Sequence, residues 1–156
     1  MANQFPLPAD WVELLKLLTS RKIEFVISGG VAFSVHARAQ YTADIDIVVY
    51  PELSNIEKFI AAFDEFGFSL KSQDPEQFLG ENRLLRVGVE PCMIDVMDFF
   101  KGVAIEEVLR DRVMLSLEEL TLPFVSCEHL ILNKLAVGRP RDIADVQELR
   151  RISQKP

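Results

Sequence analysis

The sequence predicts an α/β domain, a mixed β-sheet flanked by helices. Three observations predict it. Apolar residues recur at helical spacing in some stretches, and in others form short unbroken or alternating runs. The two kinds of stretch follow one another along the chain with no internal repeat and no low-complexity segment. Glycines and prolines stand where one kind gives way to the next.

Taken in order, Ala9 to Arg21 reads as a helix, with Trp11, Leu14, Leu15, Leu17 and Leu18 as its apolar stripe. "EFVIS", from Glu24, is a short buried strand ending at Gly29-Gly30. "VAFSVHA" is apolar enough for a short packed helix. "DIDIVVY" is a strand stopped by Pro51. Leu53 to Phe66 is a helix, with Leu53, Ile56, Phe59, Ile60, Phe63 and Phe66 at helical spacing. "LLRVGVE" and "CMIDVMDF" form a hairpin turning at Glu90-Pro91, and "TLPFVS" is a further strand. Ser126 can cap a helix that runs to Val137 and ends at Gly138. Pro140 opens the last helix, with Ile143, Val146 and Leu149 expected to face inward. At 156 residues the chain is expected to be one domain over 1–156, with C-terminal helices at about 127–153 completing it.

Composition narrows the function classes. Apolar residues are 49% and charged residues 26%, which fits a globular domain with a core and excludes disorder. No apolar run approaches the roughly 20 residues of a membrane span, so no membrane partner is expected. "MANQFPLPADWVELL" lacks the basic and apolar regions of a signal peptide. Cys92 and Cys127 have no metal-ligand spacing and read as reduced, buried thiols, which fits a cytoplasmic protein. The net charge of −7 argues against a large sequence-independent nucleic-acid footprint. The charge is uneven: from Lys134 onward the net is +3 and before it −10. Such a basic tail can face phosphates or be a solvated helix face.

The chemistry gathers in "VISGGVAFSVHARAQYTADIDIVV". On a strand, Asp44 and Asp46 point to one face while Ile45, Ile47 and Val49 point to the other, toward the core. Two carboxylates that close repel, and each raises the other's pKa. A divalent cation removes the conflict, and an all-oxygen donor set suits Mg²⁺. A bare D-x-D also fits a solvated strand end. Gly29-Gly30, after a strand and before a helix, lets backbone approach a ligand, and the helix start offers N–H groups to a phosphate. A tight strand-to-helix turn would use glycine as well. Neither common phosphate-loop motif is present. Asp95 interrupts the apolar strand "CMIDVMDF". Beside the first strand it would join the same site as metal ligand and general base, with Asp98 the weaker candidate.

"ISGG", a spacer of 13 residues, "DID" and a later "IDV" together resemble the DNA polymerase β-type nucleotidyltransferase superfamily. More narrowly, "GGVAFSVHARAQYTADIDIVV" with "LILNKLAVGRPRDIADVQEL" is similar to small bacterial nucleotidyltransferase-like proteins related to the AbiEii toxin group. The resemblance runs from about Glu24 to Arg150 and is weakest from Phe68 to Glu90. It implies the nucleotidyltransferase fold, with Gly29 and Gly30 at nucleotide phosphates and Mg²⁺ (or Mn²⁺) on Asp44, Asp46 and Asp95. It also implies Lys134 reaching a phosphate and Arg141 with Asp142 shaping the nucleotide or acceptor pocket. Two departures stand out. Gly30 occupies a position where much of the superfamily has serine. The run His36, Ala37, Arg38 replaces the His-Gly-x-x-Arg of many relatives, and Arg38 could stand in for the arginine. Thr42 could orient the loop before Asp44 or simply start the strand. His36 reads as a packed or capping histidine, and Lys134 as either a phosphate ligand or a lysine snorkelling to water. Lys134, Arg139 and Arg141 are expected to crowd one turn at Gly138, repelling one another unless an anion lies among them or Asp142 and Asp145 neutralise them.

Three functions fit this reading. One is a Mg²⁺-dependent transferase that moves a nucleoside monophosphate from an NTP onto a hydroxyl of RNA, a protein or a small molecule. The second is a catalytically inactive nucleotide- or partner-binding member of a toxin–antitoxin-like module, acting as a partner or antitoxin; for the transferase, acceptor choice could depend on a partner protein or a homodimer. The third is an α/β domain with a solvated acidic cleft.

Overall fold

The computed structural model describes residues 6–68 and 82–154. Lys155 of the basic tail lies outside them. The elements are α1 (Ala9–Ser20), β1 (Phe25–Ser28), α2 (Gly29–His36), β2 (Asp44–Val49), α3 (Leu53–Phe66), β3 (Leu84–Val87) and β4 (Met93–Met97). They continue with α4 (Ile105–Arg110), β5 (Val113–Leu117), β6 (Leu120–Phe124), α5 (Cys127–Val137) and α6 (Pro140–Ser153). No helix among the described residues is long and apolar enough to cross a membrane.

The six strands form one mixed sheet in the order β3-β4-β2-β1-β6-β5. β1 runs antiparallel to β2 and parallel to β6, and β2 runs parallel to β4. β1 is central, and all four of its residues are buried. Helix α2 packs on β1 and β2 and meets α5 and α6, while α1 packs against α3. Strand pairing sets one row that matters for the site. Ser28 pairs with Asp46, Asp46 with Asp95, and Asp95 with Arg86, across β1, β2, β4 and β3. Laterally paired residues share a face of the sheet. The opposite face of β2 is core: Ile45, Ile47 and Val49 are all buried.

The helix stops obey local chemistry. α3 ends on Gly67 in the left-handed region, and its start is capped by Glu52, whose carboxylate accepts from the backbone N–H of Ser54 and of Asn55. α5 begins with Ser126 accepting from the His129 N–H and ends on Gly138 at φ 73°.

The structure departs from expectation in three places. Ile143 does not face inward: it is exposed, and the buried residues of α6 are Asp142, Val146 and Leu149. That i, i+4, i+7 stripe places a carboxylate inside, which a purely apolar reading passes over. Leu53, in the first turn of α3, is exposed as well. Between Asp98 and "TLPFVS" lie α4 and β5, neither of them anticipated. α4 has six residues, too few for a helical period to register. Among the described residues β5 pairs only with β6, through a turn whose Glu118 and Glu119 both have positive φ. Such turns ordinarily announce themselves by Gly or Asn.

Asn55 fastens α3 to the sheet. It is buried, accepts from the Glu24 N–H at 2.8 Å and donates to the carbonyls of Glu24 and Tyr50, both at 3.0 Å. Asn55→Ala strips these partners at once. Denaturant unfolding should show a loss of about 3 kcal/mol, the scale of orphaned buried polar groups.

Candidate active site

The row set by strand pairing brings Asp46 and Asp95 together, and Asp44, two residues along β2, joins them on the same face. Each offers a carboxylate oxygen, and the three oxygens lie within 4.8 Å of one another. Asp95 is buried and the other two half-buried. Burial is the largest influence on Asp46, followed by the charges of Asp44 and Asp95; together they raise its pKa from 3.8 to about 7. A compact set of three carboxylates, one of which resists ionising alone, fits a hard divalent cation. Thr42 donates its hydroxyl hydrogen bond to the Asp44 carbonyl at 3.0 Å, with the Asp44 carboxylate at 3.3 Å, so it does orient the loop before Asp44.

The glycine pair is explained by the same row. Gly29 has φ 62°, and a Cβ there would lie 1.8 Å from an Asp46 carboxylate oxygen. Only glycine lets that carboxylate lie against the start of α2. Ser28, at the N-cap, makes no side-chain capping bond, so the first N–H groups of α2 are not spoken for by it. At Gly30 a Cβ would come within 3.0 Å of the Thr42 hydroxyl. Thr42 thus fills the space that the serine of many superfamily members would need.

A cleft of about 610 Å³ opens over the row. Its walls include Gly29, Gly30, Thr42, the three aspartates, Arg86, Lys134, Arg139 and Arg141. The cations differ in their commitments. Lys134 does not snorkel out to the surface: it is buried at the cleft wall, pairs with Asp145 at 2.9 Å and Asp142 at 3.6 Å, and its ammonium lies 5.8 Å from the Phe33 ring centroid. The expected crowding of cations is therefore relieved internally. Arg139 forks onto Asp142, which also accepts from the Arg139 N–H. Burial alone would raise the Asp142 pKa, but these bonds outweigh it and hold the carboxyl below its ordinary range. Asp142 does not line the cleft; it braces the start of α6. Arg141 lines the cleft, is exposed and has no ion pair among the described residues.

Arg86 is the site residue that motif reading missed. Its Nε donates to Asp95 Oδ1 at 2.7 Å and its Nη2 to Oδ2 at 2.9 Å. A signal existed in the hairpin itself. Arg86 stands four residues before Glu90 and Asp95 four after Pro91, so a turn centred there places them opposite each other.

Other candidates lie elsewhere. Arg38 is not part of the cleft wall; it reaches Glu148 at 3.7 Å and lies over the Phe33 ring. His36 donates from Nε2 to the Val125 carbonyl at 2.7 Å, and burial lowers its pKa, as suits a packed neutral histidine. Asp98 is buried and accepts from the Arg83 N–H at 2.7 Å, tying the ends of β3 and β4. Cys92 and Cys127 are free thiols and only half-buried.

A family model described as nucleotidyltransferase of unknown function (DUF6036) matches residues 10–154. No curated protein matches the chain by sequence. Among solved structures, the chain is similar in fold to the lincomycin-bound lincosamide antibiotic adenylyltransferase LnuA, with a TM-score of 0.59, 15% identity and coverage of 96% of this chain and 99% of that one. A putative nucleotidyltransferase from Thermotoga maritima gives 0.58, 14%, 95% and 97%. ANT(2")-Ia in complex with adenylyl-2"-tobramycin gives 0.58, 14%, 90% and 86%. The kinship with the AbiEii toxin group rests on the two quoted sequence segments alone.

Two outcomes follow from this geometry. A carboxyl whose pKa is raised on folding binds a proton more tightly in the folded state. With a chelator present, Asp46 should therefore cost stability progressively as pH rises from about 4 to about 7, between its unfolded and folded values. Asp46→Asn should remove that slope from a melting-temperature series; equal slopes in the two proteins would exclude Asp46 as its source. Lys134→Ala, by contrast, leaves buried Asp142 and half-buried Asp145 short of a cation. It should lower unfolding free energy by about 3 kcal/mol, as breaking a buried pair does, instead of leaving stability untouched as repulsion among cations would require.

Proposed function

The chain belongs to the family of nucleotidyltransferases of unknown function, and from that premise we propose that it transfers a nucleoside monophosphate from an NTP to a hydroxyl of a small molecule. The observation that carries this reading is the row of Asp44, Asp46 and Asp95 beside the Gly29-Gly30 start of α2. Asp44, Asp46 and Asp95 would hold Mg²⁺ or Mn²⁺. When bound there, the ion supplies charge neutralisation and polarisation of the reacting phosphate.

The protein's own groups divide the remaining work. The backbone N–H groups at Gly29 and Gly30 face the polyphosphate, and Arg141 offers a cation not used elsewhere among the described residues. Thr42 holds Asp44 in place. Asp95 takes the proton of the acceptor hydroxyl, whose oxygen forms the new bond to the α-phosphorus as diphosphate leaves. AMP transfer is the first case to try, because two of the similar folds carry adenylyl in their names.

The acceptor class is suggested by a second hollow. About 480 Å³ in volume, it is lined by Pro6, Pro8, Trp11, Pro91 and Ala39, and it shares Gln40, Tyr41 and Thr42 with the cleft. Its size suits a drug-sized ligand, and its apolar walls suit a small molecule with an apolar face better than RNA. Kinship with the AbiEii group, a protein partner and a homodimer remain alternatives suggested by sequence.

The test is incubation with each labelled NTP and Mg²⁺, offering lincomycin, tobramycin, total RNA or no acceptor. Labelled small-molecule product with diphosphate release is expected. Label on RNA alone would overturn the acceptor assignment, and no label in any arm would overturn the transferase. Asp95→Asn should lower kcat about a thousandfold, the scale of a lost general base, while nucleotide affinity largely survives.

A further inference from the structure

We infer that Arg86 is a positioning residue: it stands in for the cation at the carboxylate row while the cleft is empty, and moves to the phosphates when cation and NTP load. This rests on the nucleotidyltransferase reading above.

Both oxygens of Asp95 are occupied by one guanidinium fork, at 2.7 and 2.9 Å. Asp95 is only 4% exposed, so that fork is its main solvation. Yet the proposed chemistry asks Asp95 to face a cation and to accept a proton. Each oxygen keeps a second lone pair, but a metal ion brought against it would sit beside a fixed positive charge. With Arg86 in place the row is already one cation richer, and a divalent ion is opposed by like-charge repulsion. Arg86 and the metal ion compete for the same carboxylate.

Arg86 is built to yield. Its side chain is 57% exposed and springs from the edge strand β3, so it can leave without opening the core. Two other cations of the cleft are committed outside the row, and Arg141 has no carboxylate partner among the described residues to exchange. Lys134 is held by Asp145 and Asp142, and Arg139 by Asp142, all outside the row. Arg86 also has somewhere to go, because it lines the nucleotide cleft. A planar fork that satisfies a carboxylate satisfies two phosphate oxygens equally well. Trading Asp95 for the polyphosphate keeps every charge paired before and after loading.

The competing view is that Arg86 merely pins β3 to β4. The hairpin does not need it: four backbone register pairs join the strands, and Asp98 clamps the Arg83 N–H at their open end.

The two views differ in the sign of one effect. The full chain and its Arg86→Ala, Arg86→Gln and Arg86→Lys variants are titrated with Mn²⁺ alone, read by electron paramagnetic resonance. They are then titrated with a non-hydrolysable ATP analogue at saturating Mn²⁺, read by calorimetry. Arg86→Ala and Arg86→Gln should bind Mn²⁺ about tenfold more tightly and the analogue about tenfold more weakly, the scale of one charge-assisted contact. Arg86→Lys, which keeps the charge and loses the fork, should fall between. Melting temperature in chelator identifies which variants are folded, and any one of the three suffices. Mn²⁺ affinity unchanged or weakened in a folded variant would overturn the exchange, as would unchanged analogue affinity. If the parent protein binds neither Mn²⁺ nor the analogue, the transferase reading falls with it; if the parent binds both and the variants match it, only the role of Arg86 falls.

Discussion

Three carboxylates held within 4.8 Å on one face of a sheet cannot separate. Their positions are set by backbone pairing, with Asp46 registered directly on Asp95. On the other face of β2, Ile45, Ile47 and Val49 anchor the strand in the core. Moving a carboxylate away would mean dragging buried apolar side chains with it, so the repulsion must be met chemically. The surroundings of the row answer that demand one by one. Gly29 gives up its Cβ so that Asp46 lies against a helix start. Thr42 fastens Asp44, and Arg86 covers Asp95. Among the described residues Asp46 has no such hydrogen-bonded cation, and its pKa rises to about 7.

The basic C-terminal segment shows how a charge excess divides into two uses. Lys134, Arg139, Asp142 and Asp145 neutralise one another in a largely buried network that joins α5 to the start of α6. That network is structural in its energetics: removing Lys134 leaves Asp145 without its cation, and removing Asp142 leaves Arg139 without its carboxylate. It leaves Arg141 at the cleft without an ion pair among the described residues. The same turn at Gly138 thus supplies both a rigid wall and one uncommitted cation.

Much of the fold was legible in the sequence because its signals are local. Apolar stripes at helical spacing, a serine cap, a stop at Gly138 and the Glu90-Pro91 turn are all short-range signals, and the helices Leu53–Phe66 and Cys127–Val137 follow them closely. Asp44, Asp46 and Asp95 were legible for a different reason: charge inside an apolar strand is costly enough to demand a partner. What stayed hidden depends on register or on burial of charge. Arg86 becomes visible only once β3 and β4 are paired residue by residue. Ile143 and Asp142 exchange their expected places because a salt-bridged carboxylate can be buried where an isoleucine seems the natural choice. Nothing within the segment Val113–Leu117 marks a strand whose neighbour is reached through a turn of two glutamates.

The loop from Ala37 to Ala43 links the two hollows mechanically. At one end Ser34 Oγ accepts from the Gln40 N–H and faces the Gln40 carbonyl, each at 3.3 Å; at the other, Thr42 holds Asp44. Between them Gln40 and Tyr41 wall both the apolar hollow and the carboxylate cleft, and Tyr41 is 79% exposed. Under the proposed function, an acceptor packed against Tyr41 would press on the same short segment that orients Asp44. Filling the apolar side therefore bears on the polar side through covalent chain, with no moving domain required. That loop is the covalent route by which an acceptor in the apolar hollow would, on the proposed function, tighten the geometry of the carboxylates beside it.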